Sequence, residues 1–343
     1  MRRNRETIER DTNGDLARRG ELVAMELSEQ ARTALTDAGF AVGAQEEIEG
    51  LGLVVTSLQI PADMKLADAQ RLAISLAPEA EISPDNLHFL SGDVGVAMAA
   101  SGAAIADQAA QPIAVEVGVI DTAPGASIRV VGERGFVDGA PVPGDHGSAV
   151  VSLLHTTGVQ SIRVADVYGS DPAGGSALAI TRAIGWLTQA GSRVITISLV
   201  GPHNPVLERA VAAAHARGVV VVAAVGNDGP AAPMAYPASY RRVIAVTGVD
   251  RRGRALIEAG RALDLDYAAP GDRVYAYDRR GKTKRWRGTS FATPLVAARI
   301  AAAFEKGGNW RARVDAEARD LGARGSDRVF GRGLVCEGCG TRE

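Results

Sequence analysis

Two patterns of apolar and polar residues divide the chain. In residues 21–90, short apolar runs alternate with turn residues. Residues 21–27 read as a strand. Ser28 can cap a helix whose apolar face carries Ala31, Ala34 and Leu35 and which ends at Gly39. Residues 40–48 read as a strand, and Gly50 marks a turn. The run LGLVVTSLQI at 51–60 is a further strand, ended by Pro61. Leu66, Ala69, Leu72, Ala73 and Leu76 then recur at helical spacing up to Pro78, and residues 86–90 give a last strand. The order strand-helix-strand-strand-helix-strand predicts a small α+β unit of the split βαβ, ferredoxin-like kind. Residues 1–20 are polar and charged and are expected to be disordered.

Residues 91–112 are rich in Ala and Gly and form a linker. From residue 113 the pattern changes to alternating strands and helices: strands at 113–120, 161–168, 193–200, 219–225 and 243–249, helices at 178–190 and 204–217. The strand at 219–225 is apolar without alternation, as in a strand covered on both faces. This alternation predicts an α/β domain over 113–335, a mostly parallel sheet flanked by helices. A tail at 336–343 follows, with Cys336 and Cys339. In such sheets the site lies beyond the carboxyl ends of the strands, where Asp121, Ser198 and Asn227 stand.

Composition narrows the class. Hydrophobic residues make up 46% of 343, enough for a sizeable core, while aromatics are only 4%. A formal net charge of -2 removes the electrostatic case for nucleic acid as the main partner. No apolar run reaches the length of a membrane span, and the first twenty residues show no signal-peptide pattern. Two cysteines do not make a disulfide scaffold. Cys-Glu-Gly-Cys is at most half a zinc site; a local disulfide or two idle thiols fit it better. No acidic loop stands out as a calcium site, so neither metal nor cofactor is expected.

The candidate chemistry starts at Ser290, in Gly288-Thr289-Ser290-Phe291-Ala292-Thr293-Pro294, just ahead of the apolar run 295–304. That run reads as a buried helix, and Ser290 stands at its N-terminus, where free N–H groups favour negative charge. Alone, such a serine reads first as an ordinary cap. As a nucleophile it needs a base. Of five histidines, His146 lies in Gly144-Asp145-His146-Gly147-Ser148 at the start of a second buried helix. Asp121, ending an apolar strand, can orient that imidazole, though it also reads as a turn residue. Asn227, in AVGNDG, is a turn residue or an oxyanion donor.

The blocks VGVIDTAPG, GDHGSAVVSLL, RGTSFATPLVAA and AAVGNDGP together resemble the subtilisin-like (subtilase, S8) serine peptidases, with Asp, His and Ser in the order of that family. The resemblance covers about residues 113–335. It implies a serine endopeptidase with Asp121, His146 and Ser290 as catalytic residues and with Asn227 and the Ser290 N–H as oxyanion hole. It also implies peptide binding along Ser198, Leu199 and Val200, a facing edge at Gly174 and Gly175, and a side-chain pocket lined partly by Ala223, Ala224 and Gly226. Residues 21–90 match the ferredoxin-like propeptide of many subtilases, which inhibits the enzyme until it is cleaved. That implies the chain's own propeptide as a partner in cis, self-cleavage within 91–112, and a secreted or periplasmic location. Asp-Thr-Ala-Pro and His-Gly-Ser-Ala depart from the family's usual wording but keep the named side chains. The alternative is a catalytically silent peptidase-fold binder.

Overall fold

The computed structural model describes residues 6–91 and 111–341. In chain order the first unit comprises β1 (Ile8–Arg10), β2 (Leu16–Met25), α1 (Glu29–Asp37), β3 (Ala41–Ile48), β4 (Leu53–Gln59), α2 (Leu66–Leu76) and β5 (Glu81–Asn86). After β6 (Phe89–Leu90) come β7 (Val117–Asp121), β8 (Gly132–Gly135), α3 (Asp145–Thr156), β9 (Ile162–Asp166), α4 (Ala177–Gln189), β10 (Val194–Ile197), β11 (Leu199–Val200), α5 (Pro205–Ala216) and β12 (Val220–Ala224). The chain continues through β13 (Val243–Val249), β14 (Tyr267–Pro270), β15 (Asp272–Tyr277), β16 (Thr283–Arg287), α6 (Thr289–Glu305) and α7 (Trp310–Glu317).

The first unit is an antiparallel sheet in the order β5-β2-β4-β3, with β1 also on β2. Alternation within β2 explains its burial. Leu22 and Ala24 join a core with Leu35, Leu58, Leu66 and Ala69, under α1 and α2. Val23 and Met25 point the other way and join Ile48, Leu51 and Val55 against α4 and α5. A sheet covered on both faces needs apolar residues at both parities, as in LVAM.

Seven parallel strands form the main sheet, in the order β14-β13-β12-β10-β7-β9-β8. Again the two parities serve two layers. Val117, Val119, Val220 and Val222 pack with α3 and α6, while Ile120, Val221 and Ala223 pack with α4 and α5. Strand order reverses around β7, the usual place for a site in a doubly wound sheet. The fold is therefore the predicted α/β sheet with helices on both sides, behind an α+β unit.

Two expectations are corrected. Residues 8–10 and 16–20 are strand, not disordered: β1 pairs with β2, and the Asp11 carboxylate closes the turn by accepting from the N–H groups of Asn13 and Asp15, both 2.9 Å. The last strand of the first unit is 81–86, not 86–90. Pro84 lies within it, as only an edge strand tolerates, and β5 pairs with β2 alone. Of the two readings of the tail, the local disulfide is the one present: Cys336 is buried and disulfide-bonded to Cys339, and the Tyr275 N–H donates to the Gly340 carbonyl at 2.7 Å. Most of the linker expected at 91–112, with the cleavage expected inside it, falls outside the described residues.

Candidate active site

β7 delivers Asp121, fully buried, at its carboxyl end. One carboxylate oxygen accepts from the Thr122 N–H at 2.7 Å, and the other lies 2.8 Å from His146 Nδ1. His146 sits in the first turn of α3. The Gly147 N–H beside it donates to Thr122 Oγ1 at 3.1 Å, tying the start of α3 to the end of β7. The imidazole packs on the ring of Phe291, centroids 5.4 Å apart, and so lies beside the residue next to Ser290. Its Nε2 is buried with no hydrogen-bond partner among the described residues.

Ser290 is the second residue of α6, which is apolar around its whole girth and fully buried along most of its length. Pro294 lies inside this helix and has no N–H to donate to the Ser290 carbonyl one turn back. The Ser198 hydroxyl fills that place, donating to the Ser290 carbonyl at 2.9 Å. Before the helix, Gly288 takes φ +136°, and a Cβ there would lie 3.2 Å from Asn227 Nδ2. Only glycine combines that backbone angle with that approach. Asn227 is held by accepting from the Thr289 N–H at 3.1 Å, which turns its amide nitrogen toward the site.

What fills the site is the chain itself. Asn227 Nδ2 donates to the Ser91 carbonyl at 2.8 Å, and the Ser290 hydroxyl donates to the same oxygen. Leading up to it, β6 pairs antiparallel with β11, Leu90 opposite Leu199 and Phe89 opposite Val200, and the Ser91 N–H donates to the Ser198 carbonyl at 2.9 Å. On the other side the His88 N–H donates to the Gly175 carbonyl at 2.8 Å, and Leu87 bridges Ser176. A Cβ on Gly175, at φ +77°, would strike the His88 carbonyl, so the edge needs glycine there. Residues 87–91 are thus the middle strand of a three-stranded ribbon that ends at Ser290.

The structure brings together Asp121 with His146, and Ser290 with Asn227, Ser198, Leu199, Val200 and Gly175 through residues 88–91. It does not join His146 to Ser290 by a hydrogen bond, since the hydroxyl is turned onto the Ser91 carbonyl. Gly174 turns the chain against Tyr168, where an added Cβ would strike the Tyr168 backbone. Ala223 and Ala224 lie fully buried inside β12, Ala223 in the layer shared with α4 and α5. Gly226 does face the cleft wall: a Cβ there would lie 3.3 Å from Val200 and 3.8 Å from Ala235. Sequence reasoning missed Thr289, whose hydroxyl lies 3.1 Å from Ser91 Oγ, and Tyr168, whose hydroxyl donates to the His88 carbonyl at 2.8 Å. Thr289 stands inside the Gly-Thr-Ser block and Tyr168 just beyond β9, positions that could have flagged both.

Two buried titratable groups flank the ribbon. Burial pushes the His88 imidazole down to about 4, against the opposing pull of backbone groups at Asn86 and Gly175. Burial pushes the Asp85 carboxyl up to about 6, although it accepts from the Leu178 N–H at the start of α4, at 2.8 Å.

Comparison with known proteins shows what the chain is similar to. The sequence model of the subtilase family (Peptidase_S8) matches residues 95–333. Subtilisin DY of Bacillus licheniformis is 35% identical over 249 residues, covering 64% of this chain and 88% of that protein. Subtilisin Savinase of Lederbergia lenta is 33% identical over 250 residues, covering 66% and 91%. Among solved structures, fervidolysin of Fervidobacterium pennivorans, described as a keratinolytic enzyme related to subtilisin, superposes with a TM-score of 0.75 at 17% identity. The match takes in 93% of this chain, which spans 60% of the length of fervidolysin. At that identity the likeness speaks for the fold.

Proposed function

The chain belongs to the subtilase family, and from that premise we propose that it is a serine endopeptidase acting through Asp121, His146 and Ser290, made as a self-inhibited precursor. The single observation that carries the reading is the Ser91 carbonyl, which accepts from Asn227 and faces the Ser290 hydroxyl at the end of a strand held on both edges. A carbonyl in that position is poised for attack, with an oxyanion donor already on its oxygen.

In the proposed reaction Ser290 Oγ bonds to the carbonyl carbon and its proton passes to His146 Nε2. The oxygen takes up the negative charge and is held by Asn227 Nδ2 and the Ser290 N–H. As the C–N bond breaks, His146 returns the proton to the leaving amine, and the acyl chain remains on Ser290 until water repeats the sequence. Asp121 fixes the His146 tautomer with Nδ1–H directed at the carboxylate and stabilises the imidazolium. Substrates are proteins or peptides, bound as a strand between residues 198–200 and 174–176. Residues 21–90 act as the propeptide in cis, and the bond following Ser91 is the one the chain cuts in itself. No helix among the described residues is long and apolar enough to cross a membrane. The Cys336–Cys339 disulfide suits an oxidising compartment, and we place the working enzyme outside the cytoplasm.

The competing reading, a silent binder, draws on one observation: His146 Nε2 has no partner among the described residues. A fluorophosphonate separates the two. The endopeptidase labels at Ser290 and loses labelling in His146→Ala, whereas a parent chain that stays unlabelled after removal of residues 1–91 leaves only the binder.

A further inference from the structure

At the far end of the main sheet, where β10, β12 and β13 begin, lies a cavity of about 560 Å³. It is distant in the fold from Asp121 and Asn227, which stand at the opposite, carboxyl ends of β7 and β12. Arg193, Arg241, Arg242 and Arg311 line it, with His215, Asp264 and Asp266. The charges do not balance. Arg311 pairs with Asp266 at 2.9 Å. Arg193 lies over the Phe304 ring at 4.8 Å and has no carboxylate partner among the described residues. Arg241 and Arg242 are exposed and form no ion pair among those residues. Four guanidiniums, always charged, therefore face two carboxylates, in a chain whose overall charge is -2. A second observation points the same way. Ser239 lines the cavity, is buried, and its hydroxyl has no hydrogen-bond partner among the described residues. Buried hydroxyls are almost always satisfied.

We propose that this cavity binds a small ligand bearing a phosphate group, held by Arg193, Arg241 and Arg242 with the Ser239 hydroxyl as a neutral donor. A phosphate dianion matches the uncompensated positive charge, and its oxygens offer enough lone pairs for several guanidinium forks and a hydroxyl at once. The volume suits a small molecule rather than a polymer. Phe304 and Trp310 form an apolar wall that can cover the organic part of a phosphomonoester. A ligand here links the starts of three strands to α7, which carries Trp310 and Arg311.

The test is isothermal titration of the full-length Ser290→Ala chain with inorganic phosphate, glycerol 3-phosphate and acetate at matched ionic strength. One site is expected for both phosphates, with a Kd below about 1 mM. Arg242→Ala and Arg241→Ala should each weaken it about tenfold or more, and Ser239→Ala by a smaller factor. Arg242→Lys keeps the charge and should fall between parent and alanine variant. Tighter binding of glycerol 3-phosphate than of inorganic phosphate would identify a monoester as the ligand. An absence of binding by the parent, acetate binding as tightly as phosphate, or equal affinity in the arginine variants overturns the proposal. Unchanged melting of the variants without phosphate shows that they are folded.

Discussion

Asn227 donates to the Ser91 carbonyl and accepts from the Thr289 N–H, so its amide is both donor and fixed in direction. Asn227→Ala should lower kcat by roughly 10²–10³ with little change in KM, a range borrowed from the equivalent donor in subtilisin. Equal turnover in steady-state peptide hydrolysis would remove Asn227 from the oxyanion site. Ser198 carries a different burden. Because Pro294 cannot donate to the Ser290 carbonyl, Ser198→Ala leaves that buried acceptor alone, and about 1–3 kcal/mol of stability should be lost. Denaturant unfolding of Ser198→Ala in the Ser290→Ala background checks this, and a change within error would mean that another donor takes over. The places of Asp121, His146, Ser290 and Asn227 at strand ends and helix starts were legible in the sequence, because each sits in a short local pattern. Thr289, Tyr168 and Ser91 were not, because their roles lie in partners 62 to 199 residues away.

At the scale of elements, the ribbon strand makes stability depend on pH. His88 is neutral in its buried place and would protonate near pH 6.5 when free. Its contribution is therefore complete above pH 6.5 and is lost as the pH falls toward 4. Asp85 works in the opposite sense: with its carboxyl raised to about 6, the fold gains as the pH falls from 6 toward 3.8. His88→Phe leaves only the second effect. In the Ser290→Ala background, unfolding free energies at pH 7 and pH 5 should show the Phe variant gaining on its parent by roughly 2 kcal/mol at the lower pH. Parallel pH dependence would contradict a buried neutral imidazole. α1, α4 and α5 were read from sequence, and each opens on a capping side chain, Ser28, Ser176 and Asn204, whereas α7 was not read. β5 was misplaced because Pro84 counts against a strand until its edge position is known. The early strands were missed because Arg18 and Arg19 look solvated, whereas Arg18 reaches Asp171 of the main unit at 2.6 Å.

For the whole molecule, the first unit does more than precede the second. Its sheet shares one apolar layer with α4 and α5, and Asn204, which caps α5, also donates to the Pro84 carbonyl at 2.9 Å and to Asn86 Oδ1 at 3.0 Å. Gly50 and Gly185 let the two backbones meet so closely that a Cβ on either would strike the other unit. The sequence could indicate two units and their fold classes, because each has its own periodicity. It could not show how they dock, because docking depends on which parity of β2 and β4 faces outward. That docking sets the direction in which residues 87–91 enter the site and the carbonyl that arrives at Ser290. Mapping the new N-terminus of the purified parent chain beside Ser290→Ala tests this most directly. The parent should yield a fragment beginning at Gly92 while the variant keeps its full mass; a parent that stays whole, or one cut at another bond, would contradict it.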